Sequence, residues 1–206
     1  MVTSPARLSA PDSAYARKTR ARILSAAERR FRHYGFAKTT IVDIAGDCAM
    51  SHANVYRFFA NKTELVDAIA EGWLGKSERI CREVARRPIA ASERLVGFVV
   101  ELHRWKLREY QRDTRTHELL ALASHEGHSF VSVHLSVLAD ILVEIIADGN
   151  RAREFVVRDP RRLARVIQHA TVKFCDPRLL AQYHDEPLEE QARDVMRVLL
   201  GGIAAM

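Results

Sequence analysis

At 206 residues, with 48% hydrophobic and 7% aromatic side chains, the chain can build a globular core, as one large domain or as a small domain plus a larger one. No uninterrupted apolar run reaches the roughly 18 residues of a membrane span, and no apolar signal-peptide core opens the chain. The formal charge of +6 sits entirely in residues 1–60, where ten Lys/Arg face four acids; the remaining residues carry 22 of each sign. Such an asymmetry is the electrostatic footprint of a surface that docks a polyanion. The three cysteines, Cys48, Cys81 and Cys175, are odd in number, far apart and without a CxxC pair, which predicts reduced thiols and a cytoplasmic setting.

In chain order, residues 1–13 mix Pro, Ser and Arg without an apolar period and read as a mobile N-terminal tail. A first helix is predicted over about 15–34, with Leu24, Ala27, Phe31 and Tyr34 as its inner face and Gly35 as its C′ residue. Arg17, Lys18, Arg20 and Arg22 crowd its first turns, where positive charge opposes the helix dipole and an external anion would compensate. In the stretch 39–62, Thr40 precedes an apolar run and Asp43 follows three residues later, a capping-box-like start. Ile41, Ile44, Ala45 and Cys48 recur at helical spacing, and 48–50 leaves room for a tight turn only. Ser51 then caps a second short helix that buries Val55 and Phe59. Its outward surface is Ser51, His52, Ala53, Asn54 and Tyr56. Two helices joined by so short a turn form a helix-turn-helix unit, whose second helix enters the DNA major groove.

The run Val55-Tyr56-Arg57-Phe58-Phe59, then Asn61-Lys62 and Glu64-Leu65, following Thr39-Thr40 and Ile44-Ala45, closely resembles the DNA-binding domain of TetR-type transcriptional regulators. The resemblance covers residues 17–70; residues 80–206 match the family in being helical. It implies that Thr40, Tyr56 and Lys62 contact phosphates and that His52 and Asn54 reach base edges. One departure is Ala49, where the family usually has glycine; a positive φ there would cost alanine of the order of 1 kcal/mol.

The domain reading is a helix-turn-helix DNA-binding domain over 14–60 and a helical effector-binding and dimerisation domain over 61–206. Its first part, 61–86, is a connecting helix capped by Asn61 and Glu64 that ends before Pro88. Further helices are predicted over about 92–112, 116–124, 126–148, 160–174 and 188–200, with Asp159-Pro160 and Asp176-Pro177 as start signals. No alternating run argues for a strand. The expected fold is all-α, a three-helix head plus a larger helical body.

No catalytic motif is found. His125-Glu126-Gly127-His128 is followed by Ser129, so the HExxH pair of zinc proteases is missing, and there is no Gly-rich phosphate loop or GxSxG. No enzyme and no cofactor are expected. Five histidines (103, 117, 125, 128 and 134) fall within a short stretch; His103, His134 and His169 are candidate metal ligands if the helices converge. The helices over 92–112, 126–148 and 160–174 carry more apolar residues than one inward stripe needs. An effector pocket is expected between them, at Phe98, Leu102, Trp105, Leu138, Leu142, Ile167 and Phe174, with His103, His134 and His169 as orienting groups. The resemblance implies a homodimer on the last two long helices, with Val195 and Leu199 at the interface, because two heads reading DNA one turn apart need a two-fold axis. The function expected is a repressor that binds an operator and is released by a small molecule. A metal-responsive sensor and a dimeric DNA-binding protein without effector remain as alternatives.

Overall fold

A computed structural model describes residues 14–115 and 129–204; the expected tail, the helix over 116–124 and His117, His125 and His128 lie outside them. The described residues form helices α1 (Ala14–Tyr34), α2 (Ile41–Asp47), α3 (His52–Tyr56), α4 (Lys62–Ala85), α5 (Ala91–Arg112), α6 (Ser129–Arg151), α7 (Pro160–Ala170), α8 (Val172–Cys175), α9 (Pro177–Tyr183) and α10 (Leu188–Ala204), with no strand among them. Two compact units divide at Ile69 and Ala70. The sequence reading divides them before residue 61; the units part later because Leu65, Val66 and Ile69, the buried stripe of the first turns of α4, belong to the first unit.

The first unit buries Ile23, Ala26, Ala27 and Phe31 of α1 against Ile41, Ile44, Val55 and Phe59. The α1 stripe is therefore rotated from the expected one. Leu24 is only half-buried, and Tyr34 is exposed with its ring beneath the Arg30 guanidinium. Arg30 also grips Asp47 through two hydrogen bonds of 2.8 and 2.7 Å and lies 3.6 Å from Asp43, which ties α1 to α2. The guanidinium holds the Asp47 carboxyl below the usual carboxylate range. Gly35 adopts φ +84 and donates its N–H to Phe31 O, closing α1.

In the second unit, α5, α6, α7 and α10 pack around Leu95, Phe98, Leu102, Ile141, Leu142, Ile145, Ile167 and Met196. Among the described residues one helix, Phe130–Arg151, is long and apolar enough to cross a membrane by length and composition, although Asp140, Glu144 and Asp148 interrupt its apolar run. Its Ile141, Leu142, Ile145 and Ile146 face this core. The N-cap residue of α5, Ala90, offers no side-chain cap. Glu154 supplies one from far along the chain, accepting from Ala91 N at 2.6 Å and Ser92 N at 2.9 Å. The helix expected over 160–174 breaks at Thr171, whose hydroxyl donates to Ile167 O. Two helices extend past the bounds read from the sequence: α6 runs through Gly149 to Arg151, where the Phe155 ring crowds the open side of Gly149, and α10 runs through Gly201 and Gly202.

Candidate nucleic-acid interface and body cavity

The interface is set by three local devices. Thr40 caps α2 with a complete capping box: its hydroxyl accepts from Asp43 N, and Asp43 accepts from the Thr40 N–H. Asp43 also accepts the Thr40 hydroxyl proton at 2.7 Å, which commits the hydroxyl expected to reach DNA and lowers the Asp43 carboxyl from its ordinary value. The helix then closes in a Schellman arrangement, with Met50 N donating to Ala45 O and Ala49 in the left-handed region at φ +47. Ser51 restarts the chain as N-cap of α3, accepting from Asn54 N at 3.2 Å.

Ala49 carries a Cβ where the backbone prefers none. Ala49→Gly should stabilise the first unit by about 1 kcal/mol. Denaturant unfolding of the full-length variant tests this; unchanged or lower stability would show that the turn tolerates the methyl group without strain.

On α3, Ser51, His52, Ala53 and Tyr56 are exposed, while Asn54 is half-buried with Nδ2 3.8 Å from Met50 Sδ. His52 and Tyr56 meet edge-on at 6.4 Å. Lys62 reaches back across the unit, donating to Phe36 O at 2.8 Å and Thr39 O at 3.0 Å over the Phe36 ring. That leaves one of its three N–H donors. Arg17, Lys18, Arg20, Arg22, Arg29, Arg32, Lys38 and Arg57 are exposed.

The second unit holds a cavity of about 300 Å³. Of the residues expected to form the pocket, Phe98, Leu102, His134, Leu138, Leu142 and Ile167 line it. Four do not. Phe174 and Trp105 are packed in, Trp105 against Trp73 at 4.4 Å; His103 is buried with Nδ1 3.0 Å from Phe174 O; His169 is exposed because it follows the buried Ile167 around the far side of α7. The three histidines are thus dispersed, and among the described residues no group of three or more His, Cys, Asp or Glu could hold a metal ion.

Sequence reasoning missed the cavity's most unusual residue, Lys106, which is 5% exposed. It donates to Cys175 O at 2.7 Å, and burial pushes its amine below the ordinary lysine range. Also missed was Glu78, 2.8 Å from His134 Nδ1. Burial, then the Lys106 charge, lower the His134 imidazole far below its usual range. The one available signal was position: Lys106 follows Leu95, Phe98, Val99 and Leu102 along the buried stripe of α5.

Residues 23–69 match the family described as bacterial regulatory proteins, tetR family, and residues 91–196 match the tetracyclin repressor-like C-terminal domain. The regulator TtgR of Pseudomonas putida is 45% identical over 56 residues, 27% of either chain. Among solved structures, the repressor FadR of Thermus thermophilus, determined with lauroyl-CoA, is similar with TM-score 0.65 and 21% identity, covering 89% of this chain and 94% of that one. SmeT, repressor of the SmeDEF multidrug efflux pump of Stenotrophomonas maltophilia, gives TM-score 0.63 and 19% identity, with 91% of each chain covered.

Proposed function

Because the chain belongs to the tetR family of bacterial regulatory proteins, we propose that it is a cytoplasmic repressor that binds an operator through the head and leaves it when a small molecule fills the body cavity. The observation that carries the reading is the exposed face of α3, which starts from a strained turn and a Ser51 cap on a unit with outward-facing cations. The effector half is supported by the largely apolar cavity and by a ligand-bound neighbour of the same fold. The role is regulatory rather than enzymatic.

In this reading the domain division serves the switch. Helix α4 places Leu65 in the core of the first unit and Trp73 at the cavity of the second. It can therefore carry a displacement from ligand to head. Ser51, His52, Ala53 and Asn54 face bases, Tyr56 and the remaining Lys62 donor hold phosphates, and Thr40 sets the start of α2. Asn54 offers a paired donor and acceptor to adenine, worth roughly 1–3 kcal/mol of discrimination. Asn54→Ala should therefore relax preference at one base position while Tyr56→Phe weakens all sequences equally. Selection from a random DNA library checks this; an unchanged preference for Asn54→Ala would remove that residue from base readout.

Two heads require two copies. Val195 and Leu199 are half-buried against their own core, and the neighbouring Val198 is 75% exposed on α10. A second copy would cover this apolar face. Val198→Asp should convert the dimer to monomer in sedimentation; a variant still dimeric would move the interface to another surface.

A further inference from the structure

We propose that the body cavity takes a neutral aromatic hydroxyl compound, whose O–H donates to His134 Nε2 and whose oxygen accepts from Lys106 Nζ. The proposal rests on the effector reading for what binding does, and on the cavity's own polar atoms for what binds.

His134 is the first observation. Its side chain is 5% exposed, and Nδ1 lies 2.8 Å from Glu78 Oε1. Burial raises the Glu78 carboxyl from its ordinary value; in its ionised form it only accepts, so Nδ1 then carries the proton and Nε2 presents a lone pair. Burial and the neighbouring Lys106 charge both disfavour a second proton on the ring. Among the described residues nothing hydrogen-bonds to Nε2, which is fully buried. A buried acceptor left unpaired is destabilising, and His134 lines the cavity from which a donor can reach it.

Lys106 is the second. Its amine uses one hydrogen bond, to Cys175 O, and among the described residues no carboxylate lies within ion-pair distance of it. Among the described residues, three other polar side chains at the wall are already committed. Thr171 donates to Ile167 O, Gln168 to Leu135 O, and Asp176 is paired with Arg178. Among the described residues the wall therefore offers an unmatched acceptor and an amine with spare N–H groups, set among Trp73, Phe98, Phe130 and Leu138.

A hydroxyl carries a match for each atom, a proton for Nε2 and an oxygen for Nζ. A carboxylate brings acceptors only and leaves Nε2 unpaired; an ether lacks the proton; a hydrocarbon leaves both atoms unpaired. The cavity's ≈ 300 Å³ is about twice the ~150 Å³ that accommodates benzene, which fits a two-ring body. Dispersion against the Trp and Phe rings favours an aromatic one.

The test is calorimetric titration of the full-length dimer with three compounds of one shape: 2-naphthol, 2-methoxynaphthalene and 2-naphthoate, with lauroyl-CoA as a fourth. We expect 2-naphthol to bind about tenfold or more tighter than each of the others. In His134→Phe, 2-naphthol should fall to the level of the methyl ether, and Lys106→Met should weaken it similarly. The wild-type series needs no variant, so a misfolded variant does not rescue the proposal. Equal binding of naphthol and ether, tighter binding of naphthoate or lauroyl-CoA, or no binding by any of them overturns it. Operator affinity is read separately. Selective naphthol binding that leaves the operator bound would sink the effector reading and keep the ligand class. Release by a compound without this selectivity would do the reverse.

Discussion

Between 50 and 200 mM salt, affinity for the operator should drop about 10³–10⁵-fold. The cause is counterion release. DNA holds a condensed cation layer, and each phosphate neutralised by the protein sets part of it free. Log affinity then falls linearly with log salt, by about 0.9 per phosphate. The head's charge of +6 in residues 1–60 occurs twice in a dimer, consistent with about six to ten neutralised phosphates. The structure sorts the cations by availability. Arg30 is committed to Asp47 and Asp43, whereas Lys38 and Arg57 stand exposed. Arg57→Met should therefore lower the salt slope by about one for each phosphate that is no longer neutralised, whereas Arg30→Met should destabilise the head and leave the slope of the folded protein unchanged. Fluorescence anisotropy over a salt series gives both. A nearly flat plot would mean that the basic head is an ordinary solvated surface.

What the sequence made legible was mostly local. The Thr40 and Asp43 box, the Ser51 cap, Gly35 at φ +84 and the Asp-Pro starts at Asp159 and Asp176 are each decided within four residues of chain. Short-range chemistry of that kind writes itself into spacing. Ala49 belongs here too, because a Schellman turn demands positive φ whatever residue occupies it. The pocket was legible in its apolar half, since Phe98, Leu138, Leu142 and Ile167 follow helical periodicity. Of its polar half only His134 was. Lys106 reads as a solvated charge until the chain folds Cys175 O onto it, 69 residues away. Glu78 and His134 meet across 56 residues. The α5 cap from Glu154 and the rotation of the α1 stripe toward Ile23 and Ala26 likewise depend on partners distant in sequence. Periodicity assigns a face; which side of that face is innermost is settled by what packs on it.

The second large effect concerns release, and coupling between two sites has a strict thermodynamic form. A ligand moves an equilibrium only by its differential affinity for the two states, and that factor is reciprocal. If filling the cavity weakens operator binding a hundredfold, about 2.7 kcal/mol, then operator DNA must weaken ligand binding by the same factor. Leu142→Trp, which places a large ring in the cavity, identifies compounds that act there, because their stabilisation of the protein against heat should vanish in that variant. The decisive measurement is operator affinity at one salt concentration, with and without such a compound at saturation. The account predicts a loss of about a hundredfold or more, with ligand affinity reduced equally by operator DNA. A compound that occupies the cavity and leaves operator affinity unchanged would contradict the claim that the cavity governs the head.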